Sequence, residues 1–300
     1  MTEQSKKLSR LGLGTVQFGA DYGISNVQGQ SSFAQAREIL AEAHRQGIAF
    51  IDTSPAYGVG EEVVGRCLPG GHAFKIVTKT PVLGTAALTD DDAMVVKSSF
   101  YRSLQRLGQE SLYALLVHRT DDLLARDGEL LWDVMSDLKK WGLVEKIGVS
   151  VYSGDQIDRL LARFPIDIVQ VPLNVFDQRL IRSGHLARLQ KRNVEIHARS
   201  IFLQGLLLMP LDDVPAYFRP VYPKLAAWRN RLREHGLSPA AAAENFARSV
   251  PEPTCFILGV NDKQQLTENI AAWNTPVEFD YDGFAVEDEN MVDPARWEVR

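Results

Sequence analysis

The chain predicts an eight-stranded parallel barrel wrapped in helices, a (β/α)8 or TIM barrel, and three observations carry that prediction. Short apolar runs alternate with amphipathic stretches eight times along the sequence, and such alternation implies a parallel sheet with right-handed crossovers. The length of 300 residues suits a barrel of roughly 250 residues with an added loop and a tail. An open doubly wound sheet would carry a Gly-rich turn after its first strand. Here Gly12 and Gly14 are followed by Thr-Val-Gln-Phe-Gly, with no third glycine at the right offset.

The strands are predicted at residues 10–14, 49–52, 75–79, 114–118, 147–150, 168–171, 195–199 and 255–258. Most are Ile/Val/Leu-rich, as strands buried on both faces are. Between them, apolar residues recur at helical spacing. Ile39, Leu40 and Ala43 line the first helix, and Val96, Phe100, Leu104 and Leu107 a helix over 91–107. Leu130, Val134, Leu138 and Trp141 mark a helix over 129–141, and Ile157, Leu160, Leu161 and Phe164 mark the next. Ser238 and Pro239 read as an N-cap and first helical residue, opening an Ala-rich helix to about Val250. A last helix spans 262–273. Residues 209–223, with four prolines, read as a long excursion at one barrel face, followed by an extra helix over 224–235. The acidic, aperiodic tail from 275 to 300 either packs against the barrel mouth or frays. No linker divides the chain, so one domain over 1–300 is expected.

Lys plus Arg number 33 and Asp plus Glu 38, a formal charge of −5. With no basic cluster, nucleic acid and anionic membrane are not expected partners. No apolar run approaches the roughly 20 residues that span a bilayer, and MTEQSKKLSRLG lacks the apolar core of a signal peptide. The cysteines, Cys67 and Cys255, are too few for a disulfide framework and have no CxxC partner. No His/Cys/carboxylate set has metal-ligand spacing, so no metal is expected. A cytoplasmic protein acting on a small molecule is the expectation.

In such a barrel the working residues sit at the C-terminal strand ends and in the loops that follow. The second strand ends FIDTSPAYG, with Asp52 at its tip and Tyr57 in the loop; the third ends with Lys79 and the fourth with His118. Singly, each has an ordinary structural explanation: a cap, a packed ring, a solvent-facing lysine, a hydrogen-bonded histidine. Reduction of a carbonyl uses all four together. Tyrosine, with a reference pKa of about 10, holds its proton at neutral pH. A nearby ammonium lowers that pKa, and an aspartate fixes the ammonium. A histidine at the same mouth orients the carbonyl oxygen.

Asp52, Tyr57, Lys79 and His118, in this order and spacing, resemble the tetrad of the aldo-keto reductase family. The likeness runs along nearly the whole chain. RLGLGTVQFG resembles the family's first-strand segment, and LKKWGLVEKIGVS its K-x-G-x-x-x-x-I-G-x-S run ending at Ser150. DIVQVPLN, RSIFLQGLL and GVNDKQQLTEN resemble, in order, the carboxamide-holding strand, the phosphate-binding loop and the closing motif on the adenosine end. DYGISN, at 21–26, is similar to a bacterial subgroup.

The resemblance implies NADPH or NADH bound across the C-terminal face, a small-molecule carbonyl substrate and a monomer. Tyr57 would be the general acid, Lys79 its pKa modifier, Asp52 the partner of Lys79, and His118 the substrate orienter. The implied cofactor-binding residues are Gly14, Thr15, Asp52, Ser150, Gln170 and Arg199 on the strands. In the loop they are Ser200, Phe202, Gly205 and Leu206, and at the closing motif Gly259, Asn261, Lys263, Gln265, Glu268 and Asn269. The N–H groups opening the last helix suit a phosphate or ribose. The pattern departs from the family at three places. Val151 stands where Asn usually follows the serine. Arg199 stands where an aromatic ring usually stacks on the nicotinamide, a role a planar guanidinium can take. Gln265 stands where many relatives carry a base for the 2′-phosphate, and the Gln265, Glu268, Asn269 pattern leaves only a slight lean to NADPH.

The loop at 210–223 and the tail are expected to select the substrate. The other reading kept open is a cofactor-binding sensor on the same scaffold, with little turnover. A barrel lyase using Lys79 as a Schiff base would leave the adenosine-end motif unexplained. Tyr22, Tyr152, Phe202 and Tyr217 are candidate pocket walls, and Arg119, Asp121 and Asp122 candidate neighbours of His118. His44, His72, His185, His197 and His235 are read as structural.

Overall fold

The computed structural model describes residues 10–298. Eight strands close into one barrel in sequence order: β1 Leu11–Gly14, β2 Phe50–Asp52, β3 Lys75–Lys79, β4 Leu112–Val117, β5 Val144–Ser150, β6 Ile168–Pro172, β7 Glu195–Arg199 and β8 Cys255–Gly259. All neighbours are parallel, and β1 closes the ring on β8 by pairing Leu11 with Phe256 and Gly14 with Gly259. Strand ends differ from the sequence prediction by three residues or fewer; His118 lies one residue beyond β4.

The longer helices outside the barrel are α1 Phe33–Gln46, α2 Gly60–Cys67, α3 Asp90–Leu107, α4 Glu129–Lys140, α5 Gly154–Leu161, α6 His185–Lys191, α7 Tyr222–Glu234, α8 Pro239–Ser249 and α9 Lys263–Asn274, with short turns of helix at Thr120–Leu124, Arg179–Arg182 and Glu289–Val292. Their starts follow local chemistry. Ser32, Thr89 and Ser153 each form a capping box with the third helical residue, which satisfies N–H groups the first turn leaves open. Ser238 caps α8 with Pro239 at the first helical position, as predicted.

Two apolar layers result. The larger lies between strands and helices, from Leu11 and Leu13 to Ile270 and Trp273. The smaller fills the middle of the barrel with Phe50, Val77, Ala114, Leu116, Ile168 and Ile257. Side chains alternate along a strand, so every second residue faces this interior. Towards both barrel ends the inward positions turn polar: Asp52, Lys79 and Gln170 at the C-terminal ends, Lys75, Lys146 and Glu195 at the N-terminal ends.

The excursion after β7 is ordered as short 3-10 turns, Leu211–Asp213 and Ala216–Val221, leading into α7. Over its described residues, 275–298, the tail packs against the rest of the chain. Val286 N donates to Phe176 O at 2.8 Å, Lys224 Nζ to Gly283 O at 2.8 Å, and the rings of Phe218 and Trp297 meet edge to face at 4.8 Å. Tyr217 is part of this packing, its hydroxyl donating to Asn290 O at 3.0 Å. Excursion and tail thus brace each other.

Candidate active site

The centre of the C-terminal mouth is an ion pair. Lys79, the last residue of β3, donates to both carboxylate oxygens of Asp52 at 2.9 and 2.8 Å and to Thr53 O at 3.0 Å. Both side chains are buried. Across the barrel, Gln170 Nε2 donates to Asp52 Oδ1 at 2.7 Å. Two close donors hold the carboxylate, and the ammonium has all three of its protons engaged. A Schiff base at Lys79 would require breaking that set.

Tyr57 sits above the pair. Its ring centroid lies 5.1 Å from Lys79 Nζ and 5.9 Å from the His118 ring, at an interplanar angle of 88°. Backbone packing fixes this position: Tyr57 N donates to Ser54 O at 3.0 Å and Gly60 N to Tyr57 O at 2.8 Å. The loop after β1 presses directly on that turn at Gly19, where a Cβ would lie 1.7 Å from Tyr57 O. Only glycine permits the contact. His118 Nδ1 lies 3.2 Å from Ser54 Oγ, so one chain segment places Tyr57 and orients the histidine.

The electrostatics differ in one respect from the sequence expectation. Burial and the Asp52 charge hold the Tyr57 phenol well above its ordinary range, outweighing the Arg199 charge that acts the other way, so the net shift is upward and not downward. Burial, with Lys79 second, pushes His118 down to about 4. The imidazole is therefore neutral at physiological pH.

A cleft of about 420 Å³ opens over Tyr57 and Asp52 and extends to Gln265, Glu268 and Asn269. Its lining includes Gly14, Thr15, Arg199, Ser200, Phe202, Gly205, Gly259 and Asn261. The loop after β7 is built for close approach: Ser200, Leu203 and Gln204 have positive φ, and a Cβ on Gly205 would meet Ser25 Oγ at 1.7 Å. Gln17 Oε1 is buried beside the cleft without a hydrogen-bond partner. A long cleft with polar groups at both ends and an unpartnered amide oxygen fits a dinucleotide.

Four implied cofactor residues lie outside that lining. Ser150 and Leu206 are buried, Gln170 is engaged with Asp52, and Lys263 projects from the outer start of α9. The N-cap of α9 is Asp262, whose carboxylate accepts from Gln265 N at 2.9 Å, while Gln265 Oε1 accepts from Asn261 N at 2.9 Å. Two of the donors expected for a phosphate or ribose are thus already satisfied within the protein. Among the described residues none of 210–223 and none of the tail lines the cleft, contrary to the expectation that they select substrate. Of the candidate pocket walls, Tyr22 and Phe202 line the cleft and Tyr152 and Tyr217 do not; sequence reasoning missed Gln17 and the neighbours of Tyr22 in the β1 loop, Ser25 and Asn26, which lie across the cleft. That loop is pinned by Ile24 N to Gln204 O at 3.1 Å and by Asn261 Nδ2 to Asn26 Oδ1 at 2.6 Å. Its place after a barrel strand was the available signal.

Around the mouth, Asp122 accepts from Leu83 N and Gly84 N at 2.9 and 2.8 Å, which ties down the loop after β3. Among the described residues no group of three His, Cys, Asp or Glu side chains could hold a metal ion, and no helix is long and apolar enough to cross a membrane.

A closed parallel barrel with a buried ion pair, a phenol and an imidazole at its C-terminal mouth defines a barrel enzyme scaffold. Residues 10–285 match the model of the Aldo/keto reductase family, and the chain belongs to that family. Aldo-keto reductase YhdN of Bacillus subtilis is 30% identical over 182 residues, 58% of this chain and 53% of that protein; the chain thus spans about half the length of that relative. The NADH-specific methylglyoxal reductase of Escherichia coli is 24% identical over 299 residues, 89% of this chain and 90% of that one. An NADP(+) aldo-keto reductase of Schizosaccharomyces pombe, yakc, is 27% identical over 269 residues, 82% and 77% of the two chains. In fold, the aldo-keto reductase AKR11C1 from Bacillus halodurans superposes with a TM-score of 0.70 at 21% identity, covering 90% of this chain and 88% of that one.

Proposed function

We propose that the protein is an NAD(P)H-dependent reductase that converts an aldehyde or ketone, sugar-like carbonyls included, to an alcohol. The observation that carries this reading is the phenol of Tyr57, edge-on to His118 and backed by the Lys79–Asp52 pair, in a cleft that extends to Gln265, Glu268 and Asn269. Bound nicotinamide supplies hydride.

The chain's own residues do the rest. Tyr57 keeps its proton on the hydroxyl at every physiological pH and is placed to transfer it to the alkoxide oxygen as that oxygen gains charge. In the tautomer in which His118 Nδ1 accepts from Ser54 Oγ, Nε2 carries a proton for hydrogen bonding to the same oxygen. Asp52, itself held by Gln170, keeps the Lys79 ammonium beneath the Tyr57 ring, where its positive charge favours the tyrosinate left after transfer. Thr15, Ser200, Phe202, Gly205 and Asn261 would hold the cofactor along the cleft, and Glu268 and Asn269 its adenosine end. With Lys263 outside the cleft lining, neither NADPH nor NADH has a basic partner at the closing motif, so both belong in the assay. A single cytoplasmic, monomeric domain completes the proposal.

The test is steady-state turnover with each cofactor against a panel of aldehydes, together with cofactor binding by fluorescence. Saturable reduction is the expected result. Tight binding with no turnover on any carbonyl would overturn it in favour of a sensor, a reading that the engagement of Gln170 with Asp52 and the burial of Ser150 would then explain.

A further inference from the structure

Ser54 lies in the chain between Asp52 and Tyr57 and is fully buried. Its hydroxyl takes part in two contacts. Ala56 N donates to Oγ at 3.1 Å, and His118 Nδ1 lies 3.2 Å from the same oxygen. A serine hydroxyl has one proton to give and two lone pairs. Ala56 N occupies one lone pair, and the proton still needs an acceptor. Among the described residues His118 Nδ1 is the one acceptor within hydrogen-bond distance of Oγ.

The neutral imidazole has one proton to place, on Nδ1 or on Nε2, and the two arrangements are not equivalent. With the proton on Nε2, Ser54 donates to Nδ1 and both groups are satisfied. With the proton on Nδ1, the ring donates to Oγ, which then accepts twice, and the serine proton is buried without an acceptor. Leaving a buried donor unsatisfied shifts such an equilibrium by about 10–100-fold. Nε2 is under no such constraint. It has no hydrogen-bond partner among the described residues, and the His118 side chain is only partly buried.

We infer that Ser54 is a positioning residue that fixes His118 in its Nε2–H tautomer, and so gives the mouth a second donor for the carbonyl oxygen beside Tyr57. What that donor binds rests on the reductase reading; the tautomer follows from the packing alone. The loop after β2 thereby acts twice. It places the phenol that gives up the proton, and it decides which nitrogen of His118 has a proton to offer.

The experiment reads the tautomer directly, by two-bond nitrogen–proton correlation spectra of isotope-labelled protein at neutral pH, with His118→Gln assigning the His118 signals. The wild type is expected to show the Nε2–H form alone. Ser54→Ala should populate both forms and lower kcat by about tenfold while the cofactor still binds. Ser54 acts through His118, so in a His118→Gln background, where no tautomer is left to set, the Ser54→Ala effect on kcat should shrink to about twofold or less. An Nδ1–H ring in the wild type, or an Nε2–H ring unchanged in Ser54→Ala, would overturn the inference. So would an equal loss of kcat in both backgrounds, which would assign Ser54 to the structure of the loop alone.

The spectra need no turnover, so the two readings fail separately. An Nε2–H ring that depends on Ser54, in a protein that reduces no carbonyl, would keep the tautomer assignment and remove the reductase. Vigorous reduction by a protein whose ring is protonated at Nδ1 would do the reverse.

Discussion

The barrel has a buried polar cluster at each end, and the two are built alike. At the N-terminal end Glu195 accepts from Tyr113 at 2.7 Å and from Lys146, and its other oxygen meets His197 Nε2 at 2.7 Å. At the C-terminal end Asp52 is held by Lys79 and Gln170. Both place a carboxylate between a lysine and a neutral polar group, with aromatic rings alongside: Phe50 and Tyr113 below, Tyr57 above. The difference lies in what faces outward. Below, the phenol hydroxyl of Tyr113 is used up on Glu195. Above, Tyr57 has no hydrogen bond to the pair and meets the cleft. Burial of polar groups does not by itself mark a working site; spare hydrogen-bonding capacity beside a cleft does.

Variants at the two ends should therefore separate activity from stability. The largest effect is expected at Tyr57: Tyr57→Phe should lower kcat by about 10²–10⁴-fold, the range of lost general acid catalysis, with little change in melting temperature. Lys79→Met comes next. It removes the cation under the phenol and leaves Asp52 buried without its ion partner, so both kcat and stability should fall, the latter by about 3–5 kcal/mol in chemical denaturation. Adding Asp52→Asn to it should recover part of the stability and none of the activity, because the uncompensated charge is gone. Gly19→Ala acts through backbone contact alone. Pushing the Tyr57 turn away by about 1 Å should lower kcat/KM by up to about 100-fold.

At the other end, Glu195→Ala should destabilise by about 2–4 kcal/mol through the partners it strands, with kcat within about twofold of wild type. Equal activity losses for Glu195→Ala and Lys79→Met would erase the distinction between the two clusters.

The smallest effects are in pH. His118, lowered from 6.5 to about 4, binds fewer protons folded than unfolded in that interval. Its contribution to stability is complete above pH 6.5 and is lost as pH falls towards 4. Glu195, lowered from 4.5 to about 2 despite opposing desolvation, contributes fully above pH 4.5 and loses that contribution as pH falls through 2. Denaturation midpoints of His118→Gln and Glu195→Ala against wild type, taken at pH 7.5, 5 and 3, would show the two windows in turn.

Much of the fold was legible because buried parallel strands write themselves as short apolar runs, and β3 and β7 match their predicted bounds. Thr89 opens α3 one residue earlier than the apolar periodicity indicates, because its capping box extends beyond the apolar stripe. The tetrad was legible because strand ends meet at one mouth in any such barrel. What could not be read depends on long-range geometry. The Gln170–Asp52 hydrogen bond joins residues 118 positions apart. The course of the β1 loop over the cleft is set by Asn261 and Gln204.

The most direct measurement is a crystal structure of the protein with cofactor and an unreactive carbonyl analogue. The expected complex has the carbonyl oxygen within about 2.6–3.2 Å of both the Tyr57 hydroxyl and His118 Nε2, and the nicotinamide on the open side of the cleft beside them. A complex with the carbonyl bound away from Tyr57, or with the dinucleotide outside the cleft between Tyr57 and Asn269, would contradict the assignment of this mouth as the reaction centre.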